Sequence, residues 1–369
     1  MPPAAEPLYM DAMPSDPKTR PPNTPVVALW LFVVAGMILV MIVLGGVTRL
    51  TGSGLSIMEW APLMGALPPM REAEWQRLFD LYQQIPQYDL VNHGFGLEGF
   101  KRIFWLEWSH RLWGRLIGLA FLVPLVRFWW TGRVSRWLRW RLAILFLLGG
   151  LQGAVGWFMV ASGFLPDTTS VSPYRLVVHL GLALLLYGTI VWTGLSLLPP
   201  APAAQRPAGL AVLVRVGTAL VCLTILAGGF VAGLHAGLTF NTFPLMEGGL
   251  VPPGYAGLHP FVRNLTENIA AVQFDHRLLA TLTVLVTVAT PIAGWRVAGL
   301  RGRIAAVGVA AAAQYCLGIA TLLSVVQVDL AATHQAGAAL LLTAYLVLLH
   351  GLRAPPPLVE SGGIEPPTS

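Results

Sequence analysis

Charge is what this sequence is short of. Lysine, arginine, aspartate and glutamate make up 11% of its 369 residues, whereas 55% are hydrophobic. Soluble domains carry about 25% charged residues, so a chain this apolar has too little polar surface to stay dissolved. Cysteine is scarce too. Cys222 and Cys316 are the only two, and both fall inside long apolar runs. That excludes a structural disulfide in a loop and a thiolate metal centre. There is no Walker sequence and no dinucleotide-binding glycine fingerprint. The net charge of +6 does not call for nucleic acid, because the positive residues cluster between apolar runs as the positive-inside rule describes.

The few charges leave long gaps. A membrane-spanning helix needs about 20 apolar residues. No Lys, Arg, Asp or Glu falls between Arg20 and Arg49, Arg141 and Asp167, Arg175 and Arg206, Arg215 and Glu247, Arg277 and Arg296, Arg303 and Asp329, or Asp329 and Arg353. These gaps supply seven helices. An eighth, near 103–130, is interrupted early by Glu107, Arg111 and Arg115. The expected spans are 26–48, 103–130, 142–161, 175–197, 211–234, 270–293, 304–326 and 331–352, which makes the fold an all-α integral membrane protein of eight transmembrane helices. The first span is too long and too far from the start for a cleaved signal peptide. Arg133, Arg136, Arg139 and Arg141 in the second loop and Arg296, Arg301 and Arg303 in the sixth put those loops and both termini in the cytoplasm. The loop 49–102 also carries positive charge, but loops of that length count less in the rule. Residues 1–25 and 353–369, rich in Pro, Ser and Gly, read as disordered tails, and 198–210 as a cytoplasmic linker.

The sequence also contains itself twice. Gly45-Gly46-Val47, Gly54-Leu55-Ser56, Pro62-Leu63-Met64 and Pro68-Pro69 return as Gly228-Gly229-Phe230, Gly237-Leu238-Thr239, Pro244-Leu245-Met246 and Pro252-Pro253. His110-Arg111 returns as His276-Arg277, Gln152 with Gly156 and Ser162 as Gln314 with Gly318 and Ser324, and His179 as His334. Chance explains any one match between Gly- and Leu-rich segments, but poorly explains the whole series in register. Four helices separate the copies, so the repeat is parallel. It predicts two pseudo-symmetric four-helix bundles, 26–197 and 211–352, related by an axis along the membrane normal.

Four of the eight histidines follow that repeat. His110, His179, His276 and His334 each lie just after the start of an even-numbered helix, so all four share one depth near the outer face. Ionisable groups inside a membrane are rare and default to function. Two neutral imidazoles on facing helices of a four-helix bundle can clamp a flat heme through its iron. Arg111 and Arg115 suit heme propionates, because the guanidinium fork pairs with carboxylates. A packed core histidine is the commoner role for a lone His, and zinc or copper could use such pairs. Neither half, however, has the third and fourth ligands of a closed zinc site. His93, His235, His259 and His350 read as loop or interfacial residues. One acid breaks the symmetry: Glu107 lies three residues before His110, and Gln273 three before His276. A plain ion pair with Arg111 would explain Glu107, as would a catalytic carboxylate in one of two duplicated sites.

The stretch Glu107-Trp108-Ser109-His110-Arg111-Leu112-Trp113-Gly114-Arg115 resembles the second-helix motif of the heme A synthase family. So do Phe274-Asp275-His276-Arg277, Thr333-His334-Gln335 and the opening Gly45-Gly46-Val47-Thr48-Arg49-Leu50, and the resemblance covers about residues 26–352. The family oxidises a ring methyl of heme O to the formyl group of heme A, the heme of aa3-type terminal oxidases. The resemblance implies a bound heme b held by His276 and His334. It implies a substrate heme O near His110, His179, Arg111 and Arg115, with Glu107 in the catalytic position. It further implies a bacterial inner membrane, and heme O synthase (a farnesyltransferase) and terminal-oxidase assembly factors as neighbours. Some members carry a cysteine pair in the first outer loop, which this chain lacks, so it resembles the cysteine-free branch. Two other functions would use the same histidines: electron transfer by a di-heme cytochrome b, and non-enzymatic heme carriage or assembly.

Overall fold

The computed structural model describes residues 24–62, 64–199 and 207–353. Among these residues there is no β-strand, and eleven α-helices carry the fold. In chain order they are α1 (Thr24–Leu50), α2 (Glu72–Tyr82), α3 (Pro86–Leu90), α4 (Leu97–Trp130), α5 (Arg136–Val160), α6 (Pro173–Leu197), α7 (Ala208–Gly233), α8 (Asn264–Glu267), α9 (Ile269–Gly294), α10 (Arg301–Leu323) and α11 (Val328–Gly351). All but the short α2, α3 and α8 are long and apolar enough to cross a membrane. The chain is an all-α, multi-pass membrane protein with eight spanning helices.

The charge gaps locate only the part of each helix that lies in hydrocarbon. α4 starts at Leu97 rather than 103, and α5 at Arg136 rather than 142. Lys101, Arg102, Arg139 and Arg141 ride on these extra turns, where long side chains reach water. Helix starts are set by local chemistry. Ser135 Oγ accepts from Leu138 N at 3.4 Å, and Asn268 Oδ1 accepts from Ala270 N at 3.0 Å. Pro173 opens α6 at a position where a missing N–H costs nothing. The expected tails and linker lie almost wholly outside the described residues. Thr24 and Pro25 already belong to α1, and Ala208 to Leu210 belong to α7.

α1 packs on α4 and α6, with α5 between α4 and α6. α7 packs on α9 and α11, with α10 between α9 and α11. The two sets meet where α1 touches α11 and where α6 touches α7 and α11. Lipid offers helices no hydrophobic reason to associate, so close approach and interhelical hydrogen bonds do the work. The Gly194 backbone lies under the Phe32 ring and Gly217 under Tyr345. Tyr187 Oη and Thr343 Oγ1 meet at 2.6 Å across the two sets.

The ends of the spanning helices nearer the four site histidines also carry the two long loops. Loop 51–96 has its own small core: Trp75, Leu78, Phe79 and Tyr82 of α2, with Ile85, pack on Phe100, Ile103 and Phe104 of α4. That core sets the loop over the start of α4.

Candidate functional site

Glu107, His110 and Arg111 sit in the first half of α4, and Arg115 lies one turn further on. Spacings of three and four residues place Glu107, His110 and Arg111 on neighbouring positions of one surface. Glu107 is 5% exposed. Its Oε1 pairs with Arg111 Nε at 2.6 Å, and its Oε2 accepts no hydrogen bond from any described residue. The Arg111 fork continues into the loop, donating to the carbonyls of Ile57 (2.6 Å) and Glu59 (3.0 Å). Arg115 does the same one turn on, with Ala61 and Pro62 as acceptors, both at 2.8 Å. Its Nη1 is buried without a partner. The two arginines expected at propionates thus also hang segment 57–62 on α4. In that segment the Glu59 carboxylate is taken by Arg77 at 2.8 Å, a hydrogen bond that holds it below the usual carboxylate range.

Gln273, at the matching position of α9, is 2% exposed and fully occupied. Its Nε2 donates to the carbonyls of Ala236 (2.8 Å) and Thr239 (2.6 Å), and its Oε1 accepts from Arg277 Nη2 at 3.1 Å. A carboxylate cannot donate, so the α4 site closes its loop differently. There Ser56 Oγ donates to the carbonyls of Ser53 (2.8 Å) and Ile103 (3.3 Å). The swap of amide for carboxylate leaves Glu107 with a second oxygen to which no described residue donates.

Each histidine ring lies against a glycine of a neighbouring helix. A Cβ built on Gly45 would stand 3.0 Å from His110 Cε1, and one on Gly228 the same distance from His276 Cε1. For Gly156 with His179 and Gly318 with His334 the distance is 2.9 Å. Any side chain at these four positions would push the ring away. The sequence marks these glycines only as features of the repeat; their role as ring seats emerges from the packing.

The two pairs differ in how their rings are held. His276 Nδ1 lies 3.0 Å from the carbonyl of Thr224. Gln314 Nε2 donates to the His334 carbonyl at 2.9 Å and lies 3.1 Å from Nδ1 of that ring. Gln152 Nε2 donates to the His179 carbonyl at 3.1 Å but meets the ring at Nε2, at 3.3 Å. The Nδ1 atoms of His110 and His179 are buried without partners. The second pair is therefore oriented through Nδ1, and the first is not. Thr224, whose carbonyl orients His276, carries no signal in the sequence.

The His276 and His334 rings stand 6.5 Å apart between centroids and at 85° to one another. Two imidazoles on one metal ion, with metal–nitrogen bonds of about 2.0 Å, put their centroids roughly 6.4 Å apart. This pair thus fits a metal ion ligated from two sides. Among the described residues no three His, Cys, Asp or Glu converge to hold a metal ion. The other histidines stand apart. His235 opens the turn Ala236–Leu238, and His350 packs edge-on to Trp192 at 5.1 Å.

Similarity to known proteins extends over nearly the whole chain. The profile of the cytochrome oxidase assembly protein family matches residues 28–346. A heme A synthase from Granulibacter bethesdensis is 62% identical over 336 residues, covering 90% of this chain and 88% of its own length. One from Rhodospirillum centenum is 54% identical over 334 residues, 89% of each chain. One from Nitrosospira multiformis is 49% identical over 337 residues, 89% of this chain and 93% of its own. The chain belongs to the cytochrome oxidase assembly protein family.

Proposed function

We propose that the chain is an oxidoreductase that converts heme O to heme A by oxidising a ring methyl to a formyl group, with a second heme bound beside the substrate. The observation that carries this reading is the duplicated histidine pair with a buried carboxylate at one copy and a buried amide at the other. The names of the relatives supply the product.

His276 and His334 are the axial ligands of a resident heme b. An Nδ1 hydrogen bond leaves Nε2 for iron and fixes the ring's orientation. The Thr224 carbonyl gives His276 that bond. Gln314 braces His334 by donating to its backbone carbonyl. A heme held by two imidazoles accepts and passes single electrons. His110 and His179, whose rings lack this anchoring, receive the substrate, which must enter and leave. Arg115 Nη1 faces a propionate. Glu107 stabilises positive charge at the methyl carbon, or takes the proton released during the second oxidation.

The parallel repeat supports a division into two pseudo-symmetric four-helix bundles, and the arginine-rich loops support cytoplasmic termini, here in a bacterial inner membrane. Heme O synthase and oxidase assembly factors are the expected neighbours.

Extraction of pigments from cells lacking the chain tests the function directly. Heme O without heme A is the expected result. Normal heme A would overturn the reading and leave electron transfer or heme carriage.

A further inference from the structure

We propose that the membrane-facing side of α4 and α5 holds a lateral opening that admits the prenyl chain of heme O, and that the matching side of α9 and α10 is shut. The inference rests on the functional reading above and adds how the two sites tell their hemes apart.

α4 and α5 pack together from the turn that joins them, where Trp129 meets Trp140 at 5.8 Å, up to Phe121, and touch again above a gap. Below, Phe121 stacks on Phe146, with centroids 6.2 Å apart. Above, the Arg111 guanidinium lies over the Trp157 ring at 5.7 Å, and Trp157 meets Trp60 of the loop at 5.9 Å. Eleven residues of α5 separate Phe146 from Trp157, about 16 Å of helix. Between them both helices present glycine. Gly118 precedes Phe121 by three residues; Gly149, Gly150 and Gly153 follow Phe146 by three, four and seven. Those spacings put all four on the faces that meet at Phe121 and Phe146. A Cβ at any of the four would meet nothing within 4 Å. Gly149, Gly150 and Gly153 are exposed.

The other copy of the sequence fills every one of these positions. Aligned on His110 with His276, Gly118 becomes Val284. Aligned on Gln152 with Gln314, Gly149, Gly150 and Gly153 become Ala311, Ala312 and Tyr315. Tyr315 joins the helices outright. Its Oη meets Thr281 Oγ1 of α9 at 3.0 Å, and its ring stands edge-on to Phe243 of the loop at 6.2 Å.

The opening is continuous with the substrate site. His110 and Gly118 are eight residues apart on one face of α4, and Gly156, which seats the His179 ring, is three residues on from Gly153. His110 makes no hydrogen bond to any described residue, and its Nδ1 is sealed from solvent. Arg115 takes the place of Thr281, the residue to which Tyr315 is bolted in the other copy, and its Nη1 is buried without a partner; that group points to a ligand at the head of the opening. Heme O differs from heme b in carrying a long, flexible, apolar prenyl chain, and such a chain is most stable in hydrocarbon. A window onto lipid lets the macrocycle sit at His110 and His179 while the chain runs into the membrane. The Tyr315–Thr281 bolt leaves the other site room only for a heme without one.

The test is heme uptake by purified, heme b-loaded protein in detergent, titrated with heme O or with protoheme, which has no prenyl chain. Gly153→Tyr copies the other half. It should weaken heme O binding by about tenfold or more while protoheme uptake and the low-spin heme b spectrum stay as in wild type. Unchanged heme O affinity, or equal loss of both hemes, would overturn the proposal. Should Gly153→Tyr fail to fold, Gly153→Leu is read in the same way. The reciprocal Tyr315→Gly should let protein purified from heme O-accumulating cells retain heme O in place of part of its heme b; retention of heme b alone would also count against the opening. The two layers fail separately. Cells lacking the chain that still make heme A sink the functional reading, whereas heme O accumulation together with wild-type heme O binding by Gly153→Tyr sinks only the opening.

Discussion

At the residue scale, the carboxylate of Glu107 separates the two sites. Glu107→Gln keeps the shape and an oxygen for Arg111 Nε, and it copies an amide that Gln273 shows the fold accepts. Arg111 retains the carbonyls of Ile57 and Glu59, so the buried ion pair is lost without stranding the guanidinium. We expect a folded protein with an unchanged heme b spectrum, accumulated heme O, and heme A down by about tenfold or more, equivalent to about 1.4 kcal/mol of transition-state stabilisation. Loss of heme b as well would make Glu107 structural. The histidines give a complementary expectation. His276→Ala or His334→Ala should abolish the low-spin six-coordinate signal, and His259→Ala, on the loop, should leave it intact. A normal spectrum in both core variants would remove the assignment. These candidates were readable because a buried charge and a repeated histidine stand out against an apolar background. The anchoring of the rings was not. It rests on a backbone carbonyl at Thr224 and on which ring nitrogen faces Gln152 or Gln314, and a sequence encodes neither.

At the element scale, glycine sets how closely helices approach, and the same residue has opposite consequences at different places. A Cβ on Gly233, at the end of α7, would stand 2.8 Å from both Cα and Cβ of Pro173, which opens α6. Neither atom can swing aside. Gly233→Ala should therefore destabilise by about 1–3 kcal/mol and lower the midpoint of thermal unfolding. Gly36 lies exposed on α1 with nothing within 4 Å of the same atom. Gly36→Ala should be neutral, or stabilising by up to about 1 kcal/mol through helix propensity. Equal effects of the two substitutions would mean that packing at Gly233 is not what joins α6 to α7. The spanning helices themselves were legible from gaps between charges, because hydrocarbon excludes ions over a fixed thickness. Their extra turns were not, since a helix outside hydrocarbon tolerates Lys101 or Arg139. Nor was α2, whose Trp75, Leu78, Phe79 and Tyr82 are an ordinary amphipathic pattern hidden in a loop that the count of spans left blank.

At the scale of the whole molecule, orientation decides which side of the membrane the four site histidines lie on. The eight spans make the chain end on the side where it begins. The second loop, with Arg133, Arg136 and Arg139, then shares a side with the termini, and the third, around Asp167, lies opposite. Charge asymmetry is the argument for calling the first side cytoplasmic. The long loops that Arg111, Arg115 and Arg277 tie down lie opposite it, together with all four site histidines. Single cysteines at Ser135 and Asp167, in a background where Cys222 and Cys316 are replaced, report this directly. Asp167 sits in the turn between α5 and α6 with φ of 61°, and Ser135 caps α5. Losing that cap costs about 1 kcal/mol, too little to change the topology. In intact cells treated with a membrane-impermeant maleimide, and with the outer membrane made permeable, Asp167→Cys should label and Ser135→Cys should not. Opening the cytoplasmic side should add Ser135→Cys. Labelling of both from one side would overturn the count of spans, because a single helix, α5, separates them. Labelling of Ser135→Cys alone in intact cells would keep the count but invert the protein, and would move the histidines and Glu107 to the cytoplasmic face.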